Sequence, residues 1–332
     1  MNVVTVKFRP DTRLRAKLFV PEAMSHPAKA NLHMMLEIVE RYTEPGQLIL
    51  DPMAGAGSTM TAALMGRNVV CVDLETHFVE PMRASWEKMK RNPMMGFQMG
   101  EVTIIQGDAR DLGDLLVDAA VFSPPWEDNL PNHTSPEHKT DFSRIKGIRH
   151  SQEGYTRPDA AVFSPPFHDT ANKSESGGEV DHFRATGNWR TGLKYSADAE
   201  NIGNQRGDAY WDSMKLVYAE CLRILKPGGV MALVLKGFTR EGEYIDLPAQ
   251  TGQVCEALGF TQLDHWRREL WSLSFWRILQ QRRDPEAFDE RLRYEEVLAF
   301  RKGETDGDDE HGDYTQRRHG GGGVSPSLEA VA

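Results

Sequence analysis

Residues 46–73, GQLILDPMAGAGSTMTAALMGRNVVCVD, constrain the fold more than any other stretch of the chain. Two short apolar runs, QLILD at 47–51 and NVVCVD at 68–73, flank a glycine turn and a helix-forming segment. Strand, turn, helix, strand is a βαβ unit. A strand that is apolar at nearly every position needs cover on both faces, which a parallel sheet between helical layers supplies.

The pattern continues along the chain. HFVEPMRASWEKMKR reads as a helix, VTIIQ (102–106) as a strand, 111–116 as a short helix and AAVF (119–122) as a fourth strand. After a long polar stretch, the amphipathic AYWDSMKLVYAECLRIL (209–225) is stopped by KPGG at 226–229. The strand VMALVLK and the helix PAQTGQVCEALG follow, and TQLDHWRREL and LSFWRILQQ are expected to pair antiparallel. The expected fold is therefore α/β, a doubly wound, mostly parallel Rossmann-like sheet with an antiparallel C-terminal hairpin, spanning residues 25–282. Residues 1–24 are expected to be an N-terminal extension, 127–208 an insertion in the sheet domain and 283–302 a helical extension.

Charge and cysteine content narrow the function classes. The net charge of −10 argues against a nucleic-acid partner until its distribution is considered. From Gly303 onward seven acids (Glu304, Asp306, Asp308, Asp309, Glu310, Asp313, Glu329) face Arg317 and Arg318, so half of the net charge sits in a glycine-rich tail of disordered composition, 303–332. By contrast Lys139, Arg144, Lys146, Arg149 and Arg157 face only Asp141 and Glu153, a local surplus of positive charge suited to phosphate contact or to a solvated loop. Cys71, Cys221 and Cys255 are odd in number and widely spaced, which offers neither a disulfide framework nor a metal site. With no long apolar run and no signal-like N-terminus, a cytoplasmic protein without membrane or metal is expected.

The turn Asp51-Pro52-Met53-Ala54-Gly55-Ala56-Gly57 stands at the carboxyl end of the first of these strands, where open α/β sheets bind ligands. Small residues let a ligand approach the backbone. Asp73 ends the next strand 22 residues after Asp51, where a carboxylate can take both hydroxyls of a ribose. Asp108, after the third strand, lies in the same row and could meet an adenine amino group. No GK[ST] follows the turn, and the third glycine of a dinucleotide fingerprint is absent, so a nucleoside cofactor without phosphates fits best.

At these residues the chain resembles the S-adenosylmethionine-dependent methyltransferases, and among them the DNA amino-methyltransferases acting on cytosine N4 or adenine N6. DPMAGAGST is similar to their cofactor motif, and HPAKANLHMMLEIVERYTEPGQLIL to the segment beside the methionine moiety. SPPW at 123–126 is similar to their catalytic tetrapeptide, with the cofactor half preceding the catalytic half. KYSADAENIGN and VLKGFTREGEYIDLP resemble members of the same group. The resemblance implies S-adenosylmethionine as cofactor, held by His26, Lys29, Asp51, Pro52, Met53, Ala54, Gly55, Gly57, Ser58, Asp73, Leu74, Asp108 and Ala109. It implies DNA as the partner, with RNA disfavoured because no RNA-binding module precedes the domain. Ser at the first position of the tetrapeptide leans towards cytosine N4. Adenine N6, an RNA base amine, and a non-catalytic nucleic-acid-binding role remain the alternatives.

Ser-Pro-Pro followed by an aromatic residue suits this chemistry. An exocyclic base amine is a poor nucleophile, because its lone pair is delocalised into the ring. If Ser123 Oγ and the Pro124 carbonyl accept both amine hydrogens, the nitrogen can pyramidalise towards an electrophilic methyl group. The prolines Pro124 and Pro125 stiffen the turn and withhold N–H donors, and Trp126 offers a face for an extruded base. No Pro-Cys pair is available for attack on cytosine C5.

The octapeptide DAAVFSPP occurs twice, at 118–125 and at 159–166. A sheet position is filled once, so only one copy can stand beside the glycine turn. SPPW follows GDAR by 12 residues, a short connection that favours the first copy as the catalytic strand. The second, Ser164-Pro165-Pro166-Phe167, is then a relic within the insertion, a second base-stacking element, or the catalytic strand itself.

Overall fold

The chain enters the sheet at once: Val4–Lys7 forms strand β1 and Thr12–Leu18 forms helix α1. The computed structural model describes residues 3–25, 29–96, 98–112, 157–166, 201–240, 243–270 and 288–304. Helix α2, Leu32–Tyr42, starts at Asn31, whose side chain accepts the Met34 amide at 3.1 Å and so satisfies one of the amides that a helix start leaves unpaired. Strand β2 is Leu48–Asp51, strand β3 Asn68–Asp73, helix α3 Thr76–Met89 and strand β4 Val102–Gln106. Between β2 and β3, Ser58–Met65 is a 3₁₀ helix with all eight residues buried. Packing there overrides the α-helical propensity of TMTAALM.

Strand β5 is Ala160–Phe163, and helix α4 is Asp208–Ile224. Strand β6, Val230–Leu235, is followed by a small hairpin of β7 (Phe238–Arg240) and β8 (Glu243–Ile245). Helix α5 (Leu247–Ala257) is capped by Asp246, whose carboxylate accepts the Ala249 amide at 3.0 Å. Strands β9, Thr261–Glu269, and β10, Tyr294–Arg301, complete the fold.

Among the described residues the main sheet runs β1-β9-β10-β6-β5-β2-β3-β4. From β6 to β4 every pairing is parallel, and β10 alone runs against its two neighbours. The strand order reverses between β2, which leads to β3, and β5, which leads to β6, and this places a crevice above their carboxyl ends. Side chains alternate along each strand. On one face Ile49, Val69, Cys71, Val162, Ala232 and Val234 pack with α1, α2 and α3; on the other Leu48, Leu50, Val70, Phe163, Met231 and Leu233 pack with α4 and α5.

Three expectations are corrected here. The slot beside β2 is filled by the second DAAVFSPP copy, not the first: Ile49 pairs with Ala160 and Leu50 with Ala161. Asp159 locks the entry to this strand. Its carboxylate accepts the Leu48 amide at 2.8 Å and pairs with Lys226 Nζ at 2.6 Å. Residues 118–126 lie outside the described residues. The short link from GDAR was a weak guide because loop-closure cost grows only logarithmically with length.

The antiparallel partner of β9 is residues 294–301, from the expected helical extension, while the expected partner LSFWRILQQ lies outside the described residues. Val297–Phe300 are fully or nearly fully buried, which fits an inner strand between two others. Glu295 and Glu296, which gave the segment a helical composition, instead pair across the sheet with Arg268 and His265, each at 2.9 Å. Finally, the expected N-terminal extension is, from residue 4 onward, part of the sheet domain. Strand β1 lies parallel to β9, with Val4 opposite Trp266, and Leu18 and Phe19 enter the core.

Candidate active site at the carboxyl ends of the central strands

The glycine turn leaves β2 at Asp51 and folds back over β3. Gly55 and Gly57 both have positive φ, at 51° and 72°. A side chain at Gly57 would begin 2.6 Å from Met60 Cε and 2.9 Å from Met82 Cγ, so this position is closed to other residues by packing as well as by conformation. The turn is pinned to the next strand: the Ala54 amide donates to the Val72 carbonyl at 2.9 Å, and the Gly55 amide to Asp73 Oδ2 at 2.7 Å. Asp73 Oδ1 accepts the Glu75 amide at 3.0 Å. Asp51 Oδ1 accepts the Met53 amide at 3.2 Å, and the Thr59 hydroxyl donates to Asp51 Oδ2.

These two carboxyl groups are costly to ionise. Burial raises Asp51 to about 7 against the opposing pull of the Thr59 and Met53 hydrogen bonds, and the nearby Asp73 charge adds to the rise. Burial likewise raises Asp73 to about 6, opposed by the Glu75 and Gly55 amides. A cationic ligand would relieve both.

The cleft over the turn collects residues from six parts of the chain. Of the residues expected to hold a cofactor, Lys29, Asp51, Pro52, Met53, Ala54, Gly55, Ser58, Asp73, Leu74, Asp108 and Ala109 line it. Gly57 lies behind the wall, packed on Met60 and Met82. His26 lies outside the described residues. Asp108 is held by Arg110, whose Nε and Nη2 reach both carboxylate oxygens at 2.6–3.0 Å. An adenine amine would therefore share that carboxylate with a guanidinium.

Ser164, Pro165 and Pro166, at the end of β5, form the opposite wall. The Ser164 hydroxyl donates to the Val234 carbonyl at 3.0 Å, and the Tyr210 hydroxyl donates to the Pro166 carbonyl at 2.9 Å. Ser123, Pro124, Pro125, Trp126 and Phe167 lie outside the described residues, as do Lys139, Arg144, Lys146 and Arg149. Arg157 precedes β5 at the amino end of the strand, whereas the cleft lies at the carboxyl ends, and it is not among the lining residues.

The sequence reading missed Ala30, Met35, Ala56, Glu75, Phe78, Asn201 and Ile202 as lining residues. Asn201 is buried; its side-chain amide donates to Glu75, while its carbonyl oxygen accepts the Gly203 amide at 2.9 Å. Glu75 also pairs with His77 at 3.0 Å. Two signals pointed to this pair: Glu75 stands two residues past a strand-end carboxylate, and Asn201 falls within KYSADAENIGN, a family-like stretch to which no role was assigned. Asn201 reaches the site through tertiary folding.

The lining suits an adenosyl group with a charged tail. Backbone amides and small residues floor the cleft, a carboxylate stands at the end of β3, and Leu74 and Phe78 offer apolar contact. Among the described residues no cluster of His, Cys, Asp and Glu could hold a metal ion, and no helix is long and apolar enough to cross a membrane.

Comparison with known proteins gives three kinds of result. No curated protein matches the sequence. Among solved structures, the chain is similar to a SAM-dependent methyltransferase from Methanosarcina mazei, at 13% identity and a TM-score of 0.41, over 80% of this chain and 97% of that one. It is similar to TrmN from Thermus thermophilus, at 13% identity and a TM-score of 0.40, over 85% of this chain and 52% of that one. It is similar also to the [4+2]-cyclase SpnF, at 14% identity and a TM-score of 0.41, over 84% of each chain. A family model described as DNA methylase, of N6 and N4 type, matches residues 8–84. Those residues carry α1, α2, the glycine turn, Asp73 and most of α3; over this stretch the chain is similar to the N6/N4 DNA methylases, and the match supports a methyltransferase with S-adenosylmethionine as its cofactor.

Proposed function

We propose that the protein methylates an exocyclic amine of a DNA base, cytosine N4 ahead of adenine N6, on a base turned out of the duplex into the cleft. Ser164, Pro165, Pro166 and Phe167 take the catalytic role expected of Ser123, Pro124, Pro125 and Trp126. The observation that carries this reading is the Ser164 hydroxyl. Its hydrogen is spent on the Val234 carbonyl, so towards the cleft the oxygen has only lone pairs to offer. Acceptors are what an amine needs if it is to lose its planarity.

The two prolines offer no N–H, and Tyr210 occupies the carbonyl of Pro166, so the carbonyl of Pro165 is the second acceptor in this reading. The cofactor supplies an electrophilic methyl group on a sulfonium. The chain's part is to fix the amine opposite that group and to exclude water, and positioning of this kind accounts for most of the rate. The basic residues Lys139, Arg144, Lys146 and Arg149 are proposed as phosphate contacts, within an insertion that serves target recognition.

The test is mass spectrometry of nucleosides from DNA and RNA incubated with protein and isotope-labelled cofactor. Labelled N4-methylcytosine from DNA is expected. Label confined to RNA, or none at all, would sink the proposal, and N6-methyladenine alone would move it to the other amine. In the same assay Ser164→Ala is expected to lower transfer about 10²–10³-fold with cofactor binding retained, and Ser123→Ala to leave it unchanged. The reverse pattern would return the role to the first copy.

A further inference from the structure

Arg15 lies on α1, outside the cleft, and is only 3% exposed. Its guanidinium reaches three segments of the chain. Nη2 donates to Asp11 Oδ2 at 2.9 Å and to the Ala30 carbonyl at 2.6 Å, and Nη1 donates to Ser58 Oγ at 3.3 Å. The Arg15 group also sits 5.2 Å from the Phe19 ring centroid. Asp11 is itself fixed, since its Oδ2 accepts the Leu32 amide at the start of α2 at 2.9 Å. Ala30 and Ser58 both line the cleft. One buried side chain therefore holds two points on its wall.

A guanidinium has donors only, so Ser58 Oγ must accept in this bond, and its own hydrogen is directed to a different acceptor. Lys29, Ser58, Asp73 and Leu74 line one cleft, and with the ribose of an adenosine on Asp73 the rest of the cofactor would extend along the glycine turn. The charged end of the cofactor then falls beside Ser58. We propose that Arg15 is a positioning residue that presents the Ser58 hydroxyl as a donor to the carboxylate at the amino-acid end of the cofactor, an inference that rests on reading the cleft as an S-adenosylmethionine site. Asp11 balances the Arg15 charge, so the contribution is one of orientation rather than of net field.

Two ligands separate this role from a merely structural one. S-adenosylhomocysteine carries the amino-acid end and 5′-methylthioadenosine lacks it, while both carry the nucleoside. By calorimetric titration of the full chain, Arg15→Met and Ser58→Ala are each expected to weaken S-adenosylhomocysteine about tenfold and to leave 5′-methylthioadenosine unchanged. The double variant is expected to be no weaker than the worse single one. Arg15→Lys keeps the charge but cannot span the three partners, and is expected to behave as Arg15→Met.

Equal losses for both ligands, or none for S-adenosylhomocysteine, would overturn the proposal. Should Arg15→Met fail to fold, Ser58→Ala decides alone, because it removes only the hydroxyl; wild-type affinity for S-adenosylhomocysteine in that variant defeats the idea. If the unaltered protein binds neither nucleoside, the reading of the cleft fails, and this inference with it.

Discussion

From β2 the sheet runs one way through β3 to β4, in parallel steps between strands that follow one another in the chain. From β5 it runs the other way through β6, β10, β9 and β1, and its three outer strands come from the two ends of the described chain, residues 4–7, 261–269 and 294–301. The first side carries the glycine turn and the strand-end carboxylates. The second contributes a wall of Ser164, Pro165 and Pro166 together with Asn201 and Ile202 from the connection after β5, while its outer strands serve as frame. The site is thus built by local chain chemistry, whereas the frame that supports it depends on pairings across most of the sequence.

The largest effect is expected from breaking the frame. Phe300 on β10 is fully buried, stands opposite Met231 of β6, and packs its ring 6.2 Å from that of Phe260. Phe300→Ala leaves a cavity in a sheet layer and is expected to cost about 3–5 kcal/mol of stability in urea unfolding. Nucleoside affinity of the fraction that remains folded should be unchanged, since no residue of β10 lines the cleft. A parallel loss of affinity would show that frame and site are coupled.

A second effect concerns the site half and has the opposite sign. Burial holds the folded-state pKa of Asp51 at about 7 and that of Asp73 at about 6, both above the ~3.9 of an unfolded chain. Between these limits the folded protein keeps protons that the unfolded chain has released, so stability without ligand should fall as pH rises from about 4 towards 7. Asp51→Asn removes one of the two groups. Thermal unfolding from pH 5 to 7.5 should then show a shallower decline, with the variant gaining on the order of 1–2 kcal/mol relative to the wild type at the upper end. An unchanged slope would mean that Asp51 is ionised in the folded protein across this range. Binding a cation in the cleft should shrink the same difference.

The contrast between the halves also explains what could be read from the sequence. Asp51, the glycine turn and Asp73 were legible because each is defined by a few neighbouring residues: an apolar run, small residues, then a carboxylate at the next strand end. The β10 strand was not, because YEEVLAFR has helix-compatible composition and becomes a strand only between β6 and β9. Glu75 and Asn201, 126 residues apart, meet through tertiary folding. The duplicated octapeptide is a third case. Every β5 residue that pairs in the sheet has an identical twin in the first copy, so the sequence offered only connection length, and loop closure discriminates weakly on that scale.

The smallest expected effect tests the pairing that the sequence concealed. Arg268 of β9 stands opposite Glu295 of β10, and their side chains pair at 2.9 Å while largely shielded from solvent. A cross-strand ion pair of this kind contributes roughly 0.2–1 kcal/mol, much less than the packing around Phe300. Glu295→Gln removes the charge while keeping the shape, and Arg268→Gln does the same on the other strand. A double-mutant cycle on these two changes should give a coupling energy of that size and sign, reduced by salt. Register makes the result informative beyond its magnitude: a shift of one residue would send the two side chains to opposite faces of the sheet and abolish the coupling. A coupling of zero at low ionic strength would therefore count against the β9–β10 register, and with it against residues 294–301 as the inner strand of the frame.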